Sequence, residues 1–64
     1  MITLHNEGGG KYRVSVECDG VTVTSPARGF DAMYELFWNL TEFDNDRLAL
    51  IRLTRLCIYQ VCND

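Results

Sequence analysis

The residue types that carry enzyme chemistry are few in this 64-residue chain, and their spacing matches no catalytic motif. His5, the single histidine, would act as a base only if the fold brought a nucleophile to it. Ser15 and Ser25 lie in no nucleophile motif, and the glycines at 8–10 lack the Gly-Lys-Ser/Thr ending of a phosphate-binding loop. We therefore expect a solvated histidine, a mobile glycine connector and a protein that is not an enzyme.

The cysteines are the remaining candidates for metal or disulfide chemistry. Cys18, Cys57 and Cys62 are odd in number, form no Cys-x-x-Cys pair and lie far from His5 in sequence, whereas a structural zinc site needs four converging ligands. The N-terminus lacks the basic start and apolar stretch of a signal peptide. The sequence predicts reduced cysteines in a cytoplasmic protein, with no metal and no cofactor.

The composition, 47% hydrophobic and 23% charged residues, is typical of a globular protein, and the length fits a single domain over 1–64. The longest unbroken apolar runs, at 48–51 and 56–59, have four residues, against the roughly 20 that a membrane span needs. Doubly wound nucleotide-binding folds and two-domain enzyme clefts need more chain. Small binding domains remain as the class to consider.

The charges, which sum to −3, are unevenly distributed. The chain between Gly29 and Asp46 has five acids and no base, namely Asp31, Glu35, Glu42, Asp44 and Asp46. The chain between Arg47 and Val61 has three arginines and no acid, the arginines being Arg47, Arg52 and Arg55. The sequence therefore predicts an acidic segment beside a basic last element.

The acidic segment has two interpretations. It is either an ordinary solvated helix face or a surface that meets the basic groove of a nucleic-acid-handling protein, where carboxylates take the place of phosphates. Direct nucleic-acid binding is not expected, because six scattered basic residues and an acidic pI form no phosphate-tracking stripe. On the second interpretation the partner-binding acids are Glu35, Glu42, Asp44 and Asp46, and Arg52 and Arg55 pair with carboxylates of the partner.

Two aromatic residues add to this surface. Tyr34 and Trp38 lie one helical turn apart. On a helical wheel they lie at the edge of the apolar arc of the predicted helix, and this arc is too wide for one face of a sheet to cover. We expect both side chains to be partly exposed, as an interface hot spot or a homodimer seam. The alternative is that a third strand or the N-terminal segment covers Trp38.

Two elements that position these residues follow from local patterns. Residues 11–25 alternate in hydrophobicity around Asp19 and Gly20, a dipeptide that favours a type I′ turn, so we expect a hairpin that pairs Cys18 with Val21 and Val16 with Val23. Pro26 ends the second strand. A helix over 31–42, with Asp31 as its N-cap, then places an apolar stripe on the hairpin, the stripe being Met33, Leu36, Phe37 and Leu40.

The last third is ambiguous. As a strand, residues 48–61 change parity, which requires either a bulge near Thr54 or burial on both faces. As a helix, residues 47–57 place Arg52 and Arg55 opposite an apolar side that consists of Ala49, Leu50, Leu53, Leu56 and Cys57. Because residues 57–61 are strand-like, we predict a C-terminal strand. The expected fold class is α+β, with a β-hairpin, one amphipathic helix and that strand in β-β-α-β order. These form a small antiparallel sheet with a helix on one face, and residues 2–4 could add an edge strand.

The layout of a hairpin, "KYRVSVECDGVTVTS", followed by a helix and a strand with arginines, resembles many very small phage proteins. One group comprises short early proteins that inhibit bacterial RNA polymerase in the same β-β-α-β order. Their two functional arginines, two apart on the last strand, correspond here to Arg55 and, at the second position, to Cys57. The other group comprises the anti-CRISPR proteins, which are small and often acidic and bind Cas effectors, sometimes by mimicking DNA.

The anti-CRISPR resemblance implies a non-catalytic inhibitor that binds a host nucleic-acid-handling complex and blocks its DNA binding or cleavage. Two alternatives stay open. One is an inhibitor of bacterial RNA polymerase, and the other is a structural or regulatory homodimer joined at Tyr34 and Trp38.

Overall fold

The sheet is built around one central strand. The computed structural model describes residues 1–63, with side chains described through Cys57. Strand β2 (Lys11–Cys18) pairs antiparallel with β1 (Ile2–Gly8) along one edge, and with β3 (Val21–Thr24) and the short β4 (Arg28–Gly29) along the other. Helices α1 (Phe30–Thr41) and α2 (Asp46–Asn63) follow. The predicted α+β class, with an antiparallel sheet and helical cover on one face, is confirmed.

The β2–β3 hairpin has the predicted register. Cys18 pairs with Val21 and Val16 with Val23. The turn residues Asp19 and Gly20 both have positive φ, at 54° and 81°, as a type I′ turn requires. Local turn chemistry and strand alternation therefore determine this part of the fold.

Strand β1 extends the edge strand that was expected at residues 2–4. It runs to Gly8, which pairs with Lys11, and Gly9 and Gly10 form the turn to β2; the three glycines have φ values of 87°, 61° and 78°. Glycine adopts positive φ at no steric cost, so the segment predicted as a connector is the turn of a second hairpin. This hairpin supplies the third full-length strand of the sheet.

Ser25 bridges the break that Pro26 makes in the sheet edge. Its backbone N–H donates to the Val14 carbonyl at 2.8 Å, and its Oγ accepts the Val14 N–H at 3.0 Å. The hydroxyl takes the place of the carbonyl that an uninterrupted strand would supply. The chain then pairs again with β2 as β4, opposite Lys11 and Tyr12.

Helix α1 matches the predicted helix over 31–42, displaced by one residue. Met33 and Leu40 are buried, and Leu36 and Phe37 pack against the core. The prediction of Asp31 as N-cap is wrong, because the N-cap is Gly29 and no side chain caps this end. The β4 pairing keeps Gly29 extended, so the helix begins at Phe30 and the Asp31 carboxylate lies in the first turn, where it suits the helix dipole.

The predicted C-terminal strand is wrong, because the chain from Asp46 to Asn63 forms α2. Asn45 caps this helix, its Oδ1 accepting the Leu48 N–H at 2.9 Å. Ala49 and Leu53, four residues apart, are fully buried against the sheet. The change of parity along residues 48–61 reflects the 3.6-residue period of a helix, and no bulge near Thr54 is involved. The Thr54 hydroxyl donates to the Leu50 carbonyl, one turn earlier in the same helix.

The core lies between the apolar face of the sheet and the two helices. Val14 and Val16 of β2 contribute to the core from the sheet. Helix α1 packs on β1 and β2, and helix α2 packs on β2 and β3. The helical members of the buried cluster are Met33, Leu40, Ala49 and Leu53. Within residues 1–63, neither helix combines the length and apolar character that crossing a membrane requires.

Candidate functional site: the outer surface of the helix layer

The two aromatic residues singled out from sequence are exposed on α1. Trp38 is 54% exposed and Tyr34 is 41% exposed, so the expectation of partial exposure is confirmed. The alternative, in which a third strand or the N-terminal segment covers Trp38, is wrong for residues 1–57. Helix α1 therefore presents a half-exposed indole and a neighbouring phenol to solvent.

These side chains belong to a longer aromatic row. Phe30, Tyr34 and Trp38 recur every four residues, with ring centroids 5.2 Å and 6.2 Å apart, and Tyr12 of β2 contacts Phe30 at 5.2 Å. The sequence prediction did not include Phe30 or Tyr12 in the site. The spacing of residues 30, 34 and 38 was a visible signal for Phe30, whereas the Tyr12 contact depends on the β4 pairing that turns the chain into α1.

Acidic residues flank the row on the helix surface. Glu35 and Glu42 are exposed, and they lie three residues before and four residues after Trp38, the spacings that place side chains next to each other on a helix. Neither carboxylate forms an ion pair with any side chain that the structure describes. Trp38 therefore has one solvated carboxylate a turn before it and another a turn after it along the helix.

The two predicted acids that follow α1 differ from each other. Asp44 is exposed in the loop between the helices. The Asp46 carboxylate accepts a hydrogen bond from the Met1 amino group, which also donates to the Glu17 carbonyl at 2.6 Å. The amino group compensates the Asp46 charge, so Asp46 contributes less to the acidic surface than the sequence predicted.

A groove separates α1 from α2. Its volume is about 680 Å³, and its floor consists of apolar side chains that include Leu36, Leu40, Leu53 and Leu56. Glu35 of α1 and Glu42 at the C-cap of that helix line one side, and Arg52 of α2 lines the other. Three of the predicted site residues thus meet at one groove, and its walls carry opposite charges.

The remaining predicted site residue, Arg55, is exposed on α2 and does not line the groove. The resemblance to RNA polymerase inhibitors required Arg55 and the Cys57 position to share a strand. Both residues instead lie on a helix, where Cys57 packs against the core. That correspondence is wrong, because positions two apart share a face in a strand and diverge in a helix.

The polar sheet face contains the nearest approach to a catalytic pair. His5 Nε2 lies 2.9 Å from Ser15 Oγ, and the neighbouring Arg13 and Glu7 form an ion pair. Among the described side chains, no carboxylate bonds to the second nitrogen of His5, so the pair lacks the orienting acid of a triad. The pair lies on the polar face of the sheet and does not line the groove between α1 and α2.

The described thiols are Cys18 and Cys57, and both are free. Partial burial, together with the adjacent Asp19 carboxylate, raises the pKa of Cys18, and burial raises the pKa of Cys57. Both thiols are therefore held in the neutral form, which is a poor nucleophile and metal ligand. The side chain of Cys62 lies outside the described residues, and through Cys57 no group of three or more metal-ligating side chains comes together.

Comparison with known proteins gives no match: no family model, curated protein or solved structure is significantly similar to this chain.

Proposed function

We propose that this chain is a non-catalytic binding domain of the phage-inhibitor type, which attaches through the outer surface of α1 to a host nucleic-acid-handling complex. By occupying a basic groove of that complex, it blocks DNA binding or cleavage, as anti-CRISPR proteins do. The host cytosol is the compartment in which such a complex is met.

The observation that supports this proposal is the exposure of Trp38 between Glu35 and Glu42. Tryptophan and tyrosine are enriched among residues that dominate binding energy, because they bury a large area with few rotatable bonds. A half-exposed indole costs free energy in water, and a partner surface that covers it recovers that cost. The aromatic row therefore acts as the anchor of the interface.

The flanking carboxylates define the chemistry of the partner. Two unpaired glutamates beside an indole favour arginine and lysine, which pair with carboxylates and stack on aromatic rings. Proteins that handle DNA present such cationic side chains in the grooves that hold the phosphate backbone. Glu35, Glu42 and Asp44 form a short acidic ridge rather than an acidic face, because Arg52 occupies the opposite wall of the groove.

The experiment measures two quantities. One is the affinity of the purified protein for candidate Cas effector complexes and for bacterial RNA polymerase, and the other is the DNA binding of each complex in the presence of the protein. Trp38→Ala and the double variant Glu35→Arg/Glu42→Arg are expected to weaken binding by more than about tenfold each. Glu17→Arg, which changes the same charge on the opposite sheet face, is the matched control and keeps full affinity. Inhibition that survives both α1 variants contradicts the proposal.

A second candidate is supported by the same exposed aromatic row: a structural or regulatory homodimer joined at Tyr34 and Trp38. Sedimentation of the wild-type chain at micromolar concentration separates the two candidates. A monomer removes the homodimer, and a dimer that ignores every host complex removes the inhibitor.

A further inference from the structure

The two helices present opposite charges on one continuous surface. Glu35 on α1 and Glu42 at its C-cap are exposed, Arg52 and Arg55 are exposed on α2, and the apolar groove lies between the helices. Both helices lie on the same face of the sheet, so the acidic ridge and the basic ridge point away from it together. A surface of this kind is complementary to itself.

Apolar side chains lie among these charges. Through Cys57, the large hydrophobic residues exposed on the two helices and their loop are Phe30, Tyr34, Trp38, Phe43, Leu48 and Ile51. Several large apolar side chains exposed on one layer of a small domain are typical of a site of association. A standard interface buries about 800 Å² per partner, roughly a sixth of the 4523 Å² of this protein, so one face is sufficient.

We propose that a second copy of this chain covers the helix layer, in a two-fold dimer whose axis runs along the groove between α1 and α2. Rotation about that axis exchanges the two sides of the groove, so α1 of each copy lies on α2 of the other. Glu35 and Glu42 then face Arg52 and Arg55 of the second copy, and the two-fold symmetry makes this pairing occur twice in the dimer. The exposed Trp38, Leu48 and Ile51 become buried between the layers.

Charge selects this arrangement over a seam between the two α1 helices. An α1-to-α1 contact would bring Glu35 and Glu42 of both copies together, and like charges across an interface cost several kcal/mol. The α1-to-α2 contact converts the same residues into attractive pairs. The inference thus deepens the homodimer candidate of the proposed function and names the faces that meet.

The dimer has a consequence for the inhibitor proposal. The acids that would bind a basic partner are the acids that bind the second copy, so the two associations exclude each other. A host complex must then compete with the dimer, and apparent affinity falls as the protein concentration rises. The dimer itself concerns this chain alone and is tested without any partner, so its failure leaves the inhibitor proposal to its own experiment.

The test is a charge exchange followed by sedimentation velocity between about 1 µM and about 100 µM. The wild type is expected to dimerise, and Glu35→Arg/Glu42→Arg and Arg52→Glu/Arg55→Glu are each expected to weaken dimerisation by more than about a hundredfold. An equimolar mixture of the two variants restores a dimer, because each acidic helix again meets a basic one. Glu17→Arg, on the opposite sheet face, dimerises as the wild type does.

Three results overturn the inference. One is a wild type that stays monomeric over the whole concentration range. Another is a mixture of the two variants that stays monomeric while far-ultraviolet circular dichroism shows both to be folded. A dimer that Trp38→Ala disrupts but neither charge variant weakens also contradicts it, since such a dimer does not place α1 on α2.

Discussion

Ser25 and Val14 are joined by two hydrogen bonds: the Ser25 backbone N–H donates to the Val14 carbonyl, and the Val14 N–H donates to the Ser25 hydroxyl oxygen. Ser25 is 2% exposed, so its hydroxyl is the acceptor for a Val14 N–H that water does not reach. The same break in the strand at Pro26 directs the chain into β4 and then into α1. The position of the aromatic row therefore depends on this pair of residues.

Ser25→Ala is expected to lower the free energy of unfolding by about 1–3 kcal/mol, because it leaves the buried Val14 N–H without a partner. Urea denaturation followed by circular dichroism measures the change. Ser15→Ala is the matched control, since its hydroxyl bonds to His5 on the exposed sheet face and its loss costs less than about 0.5 kcal/mol. Equal costs for the two variants would show that the Val14 bond is not buried.

The cap of α2 is tested at Asn45. Asn45→Ala removes the oxygen that accepts the Leu48 N–H and is expected to cost about 1 kcal/mol. Asn45→Asp keeps an acceptor at the same place and is expected to stay within about 0.5 kcal/mol of the wild type. If the alanine and aspartate variants unfold at the same urea concentration, this residue does not cap the helix.

The helical conformation of the last third is tested by a pair of neighbouring residues. Leu53 is fully buried and Ile51 is 43% exposed. Leu53→Ala is therefore expected to cost about 2–5 kcal/mol and Ile51→Ala less than about 1 kcal/mol. In a strand the two positions would share one face, so similar costs for both variants would contradict α2.

The Cys57 thiol predicts how stability depends on pH. Burial raises its pKa above 9.0, so the folded protein keeps this proton at pH values where the unfolded chain releases it. The stability that the thiol contributes is complete below about pH 9 and is lost as the pH rises through the folded pKa. Cys57→Ala is expected to flatten the fall in unfolding free energy above about pH 9, and parallel slopes for variant and wild type would contradict this.

The part of the fold that could be predicted from the sequence is the part that neighbouring residues determine. Asp19 and Gly20 fix a turn, and the alternation on either side fixes the register, without reference to the rest of the chain. The exposure of Tyr34 and Trp38 followed in the same way from an apolar arc wider than one sheet face covers.

The last third was mispredicted because two signals conflicted. The β-branched and aromatic residues near Ile58 favour a strand, whereas Ala49, Leu53 and Cys57 recur every four residues and Asn45 stands at a cap position. In the structure, the hairpin of β1 and β2 supplies a further strand of the sheet, so the sheet does not require a strand from the C-terminal segment. Strand propensity is decided by tertiary context more than helix propensity is.

The groove and the His5–Ser15 contact were beyond prediction for a different reason. Both depend on elements that are distant in sequence. The groove needs α2 to be a helix, and the contact needs the β1 register, in which Thr3 pairs with Ser15 and His5 with Arg13. The β1–β2 register and the packing of α2 against α1 do not follow from spacing within a single element.

The exposure of Trp38 is the claim on which the proposed binding surface depends, and fluorescence measures it directly because the chain has a single tryptophan. For protein diluted until it sediments as a monomer, we predict a red-shifted emission maximum that acrylamide quenches strongly. We also predict a blue shift as the concentration rises and the second copy covers the indole. A blue-shifted emission that resists quenching in the monomer would contradict the account.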